Sequence, residues 1–302
     1  MSYIAVAGGV NVDIGAQPTQ RARAKDSNPG RVHMSLGGVG RNIAHDLRLL
    51  GERVELLTAI GSDGFADMVA ESCETLGIGV GHALRVQGRP TSSYVYINDE
   101  RGDMALAVSD MAICDALTPD YFADKLDVLN CAALVVADTN LPAESLRFLA
   151  ESLTVPLFID PVSVAKSAKL EGLLPHIHTL KPNALEAELL SGVPVVDRSS
   201  ARRAAHRIID LGVKRVILSL SKEGFLAAAE DETVWQPAPD AEVVSTTGAG
   251  DALMAALAWA WLRGENLSRT AALGAAAAAI TIECADTISP ALSAEAVLAR
   301  AD

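Results

Sequence analysis

The chain has 302 residues, 50% of them hydrophobic and 21% charged, a globular composition with enough apolar material for a large core. Its formal net charge of -13 argues against a general nucleic-acid binder and against a binder of anionic membranes. Cys73, Cys114, Cys131 and Cys284 are scattered, with no C-x-x-C and no His cluster, so they indicate neither a zinc site nor a disulfide framework.

The N-terminal residues lack a basic region and a cleavage site, and the longest alanine-rich run, Thr270–Ile282, is too short to span a bilayer. The expectation is a soluble cytoplasmic protein with no membrane and no nucleic-acid partner.

Tyr3–Val6 reads as a buried strand ending at Gly8-Gly9, with Asn11 and Asp13 just past it. Open α/β sheets bind ligands beyond the C-terminal ends of parallel strands, which makes Asn11 and Asp13 candidates for binding. Gln17–Arg31 is polar, with Pro18, Pro29 and Gly30, and reads as loop or short edge strand. Gly37-Gly38-Val39-Gly40-Arg41-Asn42 opens an amphipathic helix that stops at Gly51. Those glycines serve either close approach to a bound molecule or tight helix–strand packing.

Val54–Ile60 reads as one strand, followed by a helix ending at Leu76. Thr91–Ile97 and Met104–Val108 read as a hairpin around Asn98–Asp103. This hairpin and the Gln17–Arg31 region interrupt the strand–helix alternation. They are expected to form a small β-sheet lid, about residues 14–35 and 88–110, on a single domain spanning 1–302. Alternation resumes with a strand at Leu134–Ala137, a helix at Ala143–Ser152 and a strand at Leu157–Ile159. Thr179-Leu180, a helix after Asn183, a helix at Ala201–Leu211 and a strand at Val216–Leu220 follow. Leu226–Ala229 and Thr233–Trp235 pair around an acidic turn. The fold class is α/β, a three-layer core with a mainly parallel sheet plus the lid.

The chemistry centres on Thr246-Thr247-Gly248-Ala249-Gly250-Asp251, ahead of an apolar helix from Ala252 to Leu262. Gly248, Ala249 and Gly250 then lie at a helix N-terminus, where free N–H groups and the helix dipole favour an anion. A carboxylate at Asp251 suits taking a proton from a hydroxyl that attacks a phosphate. The competing reading is a helix cap with glycines that make a turn. Asn183-x-x-Glu186 starts another helix. It is either an N-cap with a first-turn Glu or a pair that orients phosphate and hydrated magnesium. His176 and His178 share a face but lack a third metal ligand, and Lys166 after Asp160-Pro161 is either a phosphate partner or a solvated lysine. There is no Walker-type P-loop and no G-x-G-x-x-G.

Taken in order, the Gly37–Asn42, Asn183-x-x-Glu186 and Thr247–Asp251 motifs resemble those of the PfkB, or ribokinase-like, family of carbohydrate and nucleoside kinases. Asp26–Gly30, Thr91–Tyr94, Asp160–Ser163 and His178–Asn183 are similar to stretches of a nucleoside kinase within it. The resemblance implies a nine-stranded or similar core with a β lid over the sugar, ATP as co-substrate, and magnesium bound through Glu186. It implies substrate contacts from Asn11, Asp13, Gly37, Gly38, Asn42 and Asp251, with Asn28 and Ser93 of the lid meeting a base. It implies ATP contacts from Asn183, Ser219, Ser221, Gly224, Thr247, Gly248 and Gly250, and a small-molecule nucleoside substrate. A homodimer through the lid is a further expectation. Many family members carry Asp in place of Ser245, within a monovalent-cation site, and Gly in place of Ser221, so potassium dependence and the adenine side stay open. A catalytically silent nucleoside-binding regulator on the same fold is the alternative from another class.

Overall fold

The computed structural model describes residues 2–302. The chain opens with β1 (Ile4–Ala7), β2 (Asn11–Pro18), β3 (Gly30–Gly37) and α1 (Val39–Leu49). Next come β4 (Val54–Leu57), β5 (Ala59–Ile60), α2 (Gly64–Leu76), β6 (Leu84–Arg85), β7 (Ser93–Asn98) and β8 (Met104–Asp110). The middle contains α3 (Pro119–Ala123), α4 (Leu126–Cys131), β9 (Leu134–Asp138), α5 (Ala143–Ser152), β10 (Leu157–Asp160) and α6 (Val164–Ser167). Then follow β11 (Thr179–Leu180), α7 (Ala184–Ser191), α8 (Arg198–Asp210), β12 (Arg215–Ser219), β13 (Phe225–Ala229) and β14 (Thr233–Gln236). Three helices finish the chain: α9 (Ala249–Leu262), α10 (Leu267–Ile282) and α11 (Ala294–Ala301).

The central sheet has eight strands in the order β14-β13-β12-β11-β10-β9-β1-β4. From β4 to β12 all neighbours are parallel, and β13 and β14 add antiparallel at one edge. Strands β1, β9 and β10 are buried at every position, which is why they read as unbroken apolar runs. Side chains still alternate between faces. Ile4 and Val6 join a core with α1, α9 and α10, while Ala5 and Ala7 join a second core with α5 and α8. Helices therefore cover both faces.

The alanine-rich runs are core helices. Ala252 to Ala260 of α9 are all buried, and α10 lies against α9. Small side chains allow that close approach: a Cβ on Gly274 of α10 would stand 2.5 Å from Leu253 Cδ1. Among the described residues no helix is long and apolar enough to cross a membrane.

A separate four-stranded sheet, β3-β2-β7-β8, forms the lid. One of its faces carries Asp13, Gly15, His33, Tyr94 and Tyr96, and the other carries Ile14, Met34, Val95 and Val108, as the register requires.

The expectations are met in part. Gln17–Arg31 is loop over residues 19–29, and β2 and β3 enter it only at Gln17-Pro18 and Gly30-Arg31. Asn11 and Asp13 lie past the C-terminal end of β1, as expected, and themselves belong to β2. Alternation with Gly, Asp and Asn is a weak strand signal that cross-strand pairing overrides. Val54–Ile60 is two strands, because the chain leaves the main sheet at Thr58 and β5 pairs with β6. The core has eight strands, in keeping with the nine-stranded or similar core that the resemblance implies. The short helices α3 and α4 had no periodic signal to announce them.

Candidate active site

The C-terminal ends of the parallel strands deliver the polar residues. Asp138 ends β9, and its Oδ2 accepts the Gly9 and Gly40 amides at 2.8 Å each. Its Oδ1 accepts the Asn140 amide at 2.8 Å. One buried carboxylate thus ties the loop after β1 to the first turn of α1. Burial raises its pKa, and the Gly9 and Asn140 bonds oppose that rise.

This clamp accounts for two glycines by packing. A Cβ on Gly40 would lie 2.8 Å from Gly8 Cα, and one on Gly38, whose φ is 97°, would lie 2.5 Å from the Gly9 carbonyl oxygen. Gly37 differs, since its missing side chain leaves room for Asp13: a Cβ there would stand 2.1 Å from Oδ2. Asn11 Nδ2 donates to Asp13 Oδ1 at 2.5 Å, and burial raises the Asp13 pKa. Asn11, Asp13, Gly37 and Gly38 therefore meet at the root of the lid.

Asp251 sits in the first turn of α9. Helix α1 packs beside α9, and Asn42 Nδ2 donates to Asp251 Oδ2 at 2.9 Å. Lost hydration pushes the Asp251 pKa up to about 7, with Asp160 adding to the rise while Asn42 and Lys181 oppose it. Next to it Lys181 Nζ pairs with Asp160 Oδ2 at 3.1 Å, both side chains nearly buried. Burial alone would lower the Lys181 pKa, but the Asp160 carboxylate outweighs it and raises the value. Lys181 Nζ also stands 3.3 Å from where a Cβ on Gly250 would be. The site thus holds a fixed cation beside the glycine turn.

Gly248 is the N-cap of α9 with φ 85°, and no side chain makes a cap there. A Cβ on Gly248 would collide with the Thr287 carbonyl oxygen. The amides at the start of α9, from Ala249 onward, precede the hydrogen-bonded turns and stand open to an anion. Thr247 differs, because its amide is taken by Ser245 Oγ at 3.2 Å.

A cleft of about 840 Å³ leads away from Gly250, lined by Lys181, Ser219, Ser221, Gly224, Thr246 and Ala249 among others. Thr246, rather than Thr247, lines it. Ser221 has φ 50° and Gly224 φ 91°, and a Cβ on Gly224 would strike the Gln236 carbonyl oxygen. Glycine is needed at 224, whereas Ser221 holds its turn at some strain. Asn183 bridges to Ser219 at the neighbouring wall.

Asn183 and Glu186 form a complete capping box. Asn183 Oδ1 accepts the Glu186 amide at 3.0 Å, and Glu186 Oε2 accepts the Asn183 amide at 2.8 Å. The capping arrangement is real, and it uses only one Glu186 oxygen. Among the described residues Oε1 takes no hydrogen bond, and no group of three or more His, Cys, Asp or Glu could hold a metal alone. One free carboxylate oxygen fits magnesium in the usual manner, with water and nucleotide phosphates completing the shell.

Other candidates are placed elsewhere. Asn28 is exposed, and its side chain is spent inside its own loop, accepting the Arg23 amide at 2.7 Å and donating to the Arg23 and Asp26 carbonyls at 3.0 Å. Ser93 pairs with Val12, on the lid face opposite Asp13. On the face of Asp13, His33 and Tyr96 meet over the bare Gly15, with Nε2 to OH at 2.8 Å. A Cβ on Gly15 would stand 2.3 Å from His33 Cε1. His178 stacks on Phe158 with centroids 5.3 Å apart, and burial pushes its pKa down to about 4, so it is a packing residue. Lys166 Nζ donates to Asn140 Oδ1 at 2.5 Å and is not simply solvated.

Sequence reasoning missed Asp138, Lys181, His33 and Tyr96 as members of the site. Asp138 had a signal, an acid ending an apolar run like that at Asp160. His33 and Tyr96 had none beyond the alternation of their strands.

Comparison with known proteins gives the family. The model of the pfkB family carbohydrate kinases matches residues 1–294. Pseudouridine kinase of Escherichia coli is 36% identical over 293 residues, 96% of this chain and 94% of that protein. An uncharacterized sugar kinase of the same organism, YeiI, is 36% identical over 300 residues, 98% of this chain and 82% of that protein. Ribokinase of Thermotoga maritima superposes with a TM-score of 0.86 at 26% identity, covering 99% of both chains. Arabidopsis thaliana ribokinase, solved with ribose and ATP, shares the fold with a TM-score of 0.89 at 23% identity, over 100% of this chain and 99% of that one. The chain belongs to the pfkB family of carbohydrate kinases.

Proposed function

We propose that the protein transfers the γ-phosphoryl group of ATP to the ribose 5′-hydroxyl of pseudouridine. The observation that carries the kinase chemistry is Asp251, half-buried beside open helix amides, bonded to Asn42 and with its pKa pushed up to about 7. A carboxylate near neutrality can take the hydroxyl proton as the oxygen attacks phosphorus. The Gly248–Gly250 turn and Lys181 face the charge on the moving phosphoryl group. Magnesium, when bound at Glu186 and the phosphates, would neutralise that charge further. Asn11, Asp13, Gly37, Gly38 and Asn42 hold the ribose, while Asn183, Ser219, Ser221 and Gly224 hold the nucleotide. A need for ATP suits the cytoplasm.

Pseudouridine is supported by the likeness to the E. coli enzyme of that name. The equal identity to a sugar kinase keeps a free sugar or another nucleoside as the second reading. On the lid, the His33–Tyr96 pair offers polar atoms beside an aromatic face, on the side of Asp13. Pseudouridine exposes a ring N–H that uridine lacks, and a site built for that donor rejects uridine by leaving its acceptor unpaired. The test is kcat/KM for pseudouridine, uridine, adenosine, ribose and fructose at saturating ATP. Pseudouridine is expected to lead, and Tyr96→Phe or His33→Ala to narrow its lead over uridine. A free sugar or adenosine used equally well overturns the substrate and leaves the kinase reading in place.

A further inference from the structure

Behind Asn42, helix α1 buries a carboxyl group with nothing to pair with. Asp46 is 0% exposed, and neither Oδ1 nor Oδ2 has a hydrogen-bond partner among the described residues. Asn42, four residues earlier, also buries an oxygen, Oδ1, with no partner. Residues four apart share one helix face. Asn42 already spends its Nδ2 on Asp251 Oδ2 at 2.9 Å. Partnerless acceptors are thus buried on one helix face, directly behind the reacting carboxylate.

An ionised carboxylate cannot rest there unpaired. The neighbouring charges do not rescue it. Arg41 donates through Nη1 to the Leu36 carbonyl at 3.0 Å and through Nη2 to Ser72 Oγ at 3.3 Å; its buried Nε has no partner and so makes no bond to Asp46, and its charge only partly opposes the rise in the Asp46 pKa. His45 is kept neutral by burial, with its pKa pushed down to about 4. From α9 the facing group is Asp251, whose charge opposes a second one. A single proton on Asp46 removes the unpaired charge and pairs the two residues, because the carboxylic acid becomes a donor and Asn42 Oδ1 its acceptor.

We propose, resting on the kinase reading above, that Asp46 is a protonated positioning residue whose O–H donates to Asn42 Oδ1 and so fixes the Asn42 amide with Nδ2 toward Asp251. The order of donors is Asp46 to Asn42, then Asn42 to Asp251. It leaves Asp251 Oδ1 for the substrate hydroxyl. Ionised Asp46 would instead attract Nδ2, turning the Asn42 carbonyl oxygen against the Asp251 carboxylate. Burial, followed by the Asp251 charge, raises the Asp46 pKa well above the ordinary carboxylate range, in keeping with a retained proton.

The experiment compares Asp46→Asn with Asp46→Leu. An amide at 46 keeps a donor and changes no charge, so kcat should stay within about threefold and the acid limb of the kcat/KM profile should not move. Leucine removes the donor, so kcat should fall about tenfold at unchanged KM for ATP, with the acid limb moved to higher pH. Carbon-13 NMR of the aspartate carboxyls at pH 7 should show a protonated signal that disappears in Asp46→Asn. If Asp46→Leu does not fold, Asp46→Asn and the NMR signal carry the test. An acid limb moved to lower pH in Asp46→Asn means that a negative charge was removed, and overturns the proposal. So does the absence of a protonated signal that depends on Asp46. The NMR signal requires no turnover, so it decides the Asp46 proton even if Asp251 proves not to be the base.

Discussion

Lys181 and Asp160 form a nearly buried ion pair, Nζ to Oδ2 at 3.1 Å, beside Gly250 and within the field of Asp251. Removing one member leaves the other charge unpaired in a dry site. Lys181→Met should therefore cost about 3–5 kcal/mol in denaturant unfolding. Lys181→Met combined with Asp160→Asn should recover part of that loss. A double variant no more stable than the single one would show that the pair itself is not the cause.

The raised pKa of Asp251 sets a pH dependence. As a base it must be ionised, so kcat/KM should climb with pH and level off above about 7. The effect on stability has the opposite sense. A group at about 7 when folded, against an ordinary 3.8, contributes its full stabilisation below 3.8 and loses it as pH rises through about 7. Asp251→Asn should thus melt higher than the parent at pH 8, and the difference should close toward pH 4. Identical melting curves at both pH values would refute the buried-acid description.

Glu186 has two separable duties. Its Oε2 closes the capping box with Asn183, a role that glutamine can keep through its own carbonyl oxygen. Only the charge facing magnesium is lost in Glu186→Gln. The magnesium concentration for half-maximal rate should rise several-fold while the melting temperature stays within a degree or two. Lower stability with an unchanged magnesium requirement would reduce Glu186 to a cap.

The outer lid face exposes Val32 at 69%, Leu106 at 61% and Val108 at 63%, beside Met34, Val95 and Ile97. These side chains form two cross-strand apolar rows, a large patch for a protein in water. We infer pairing with a second copy across this face. Sedimentation at micromolar concentration should show a dimer that Leu106→Glu with Val108→Lys converts to monomer. A monomer at every concentration in the parent protein would remove the inference.

The layers of the fold were legible because most core strands are dense apolar runs and most of the longer helices are periodic or free of Gly and Pro breakers. The anion turn was legible because Gly248, Gly250 and Asp251 are adjacent in sequence. What depends on distant partners was not. The Asn42–Asp251 bond joins residues 209 apart, and only the packing of α1 on α9 creates it. Asn28 looked like a ligand-facing amide, but its loop consumed it. Ser93 fell on the wrong lid face because the register, which local sequence does not fix, decides which side chains point toward Asp13. Asp46 had no signal in the sequence, because its complete burial depends on what packs against α1.

The most direct test of the account is the rate of ADP formation with pseudouridine for the parent protein and Asp251→Asn at pH 7.5 and saturating ATP and magnesium. The account predicts turnover that depends on pseudouridine in the parent and falls by about 10²-fold or more in the variant, with ATP binding retained. Near-normal turnover in Asp251→Asn would contradict it.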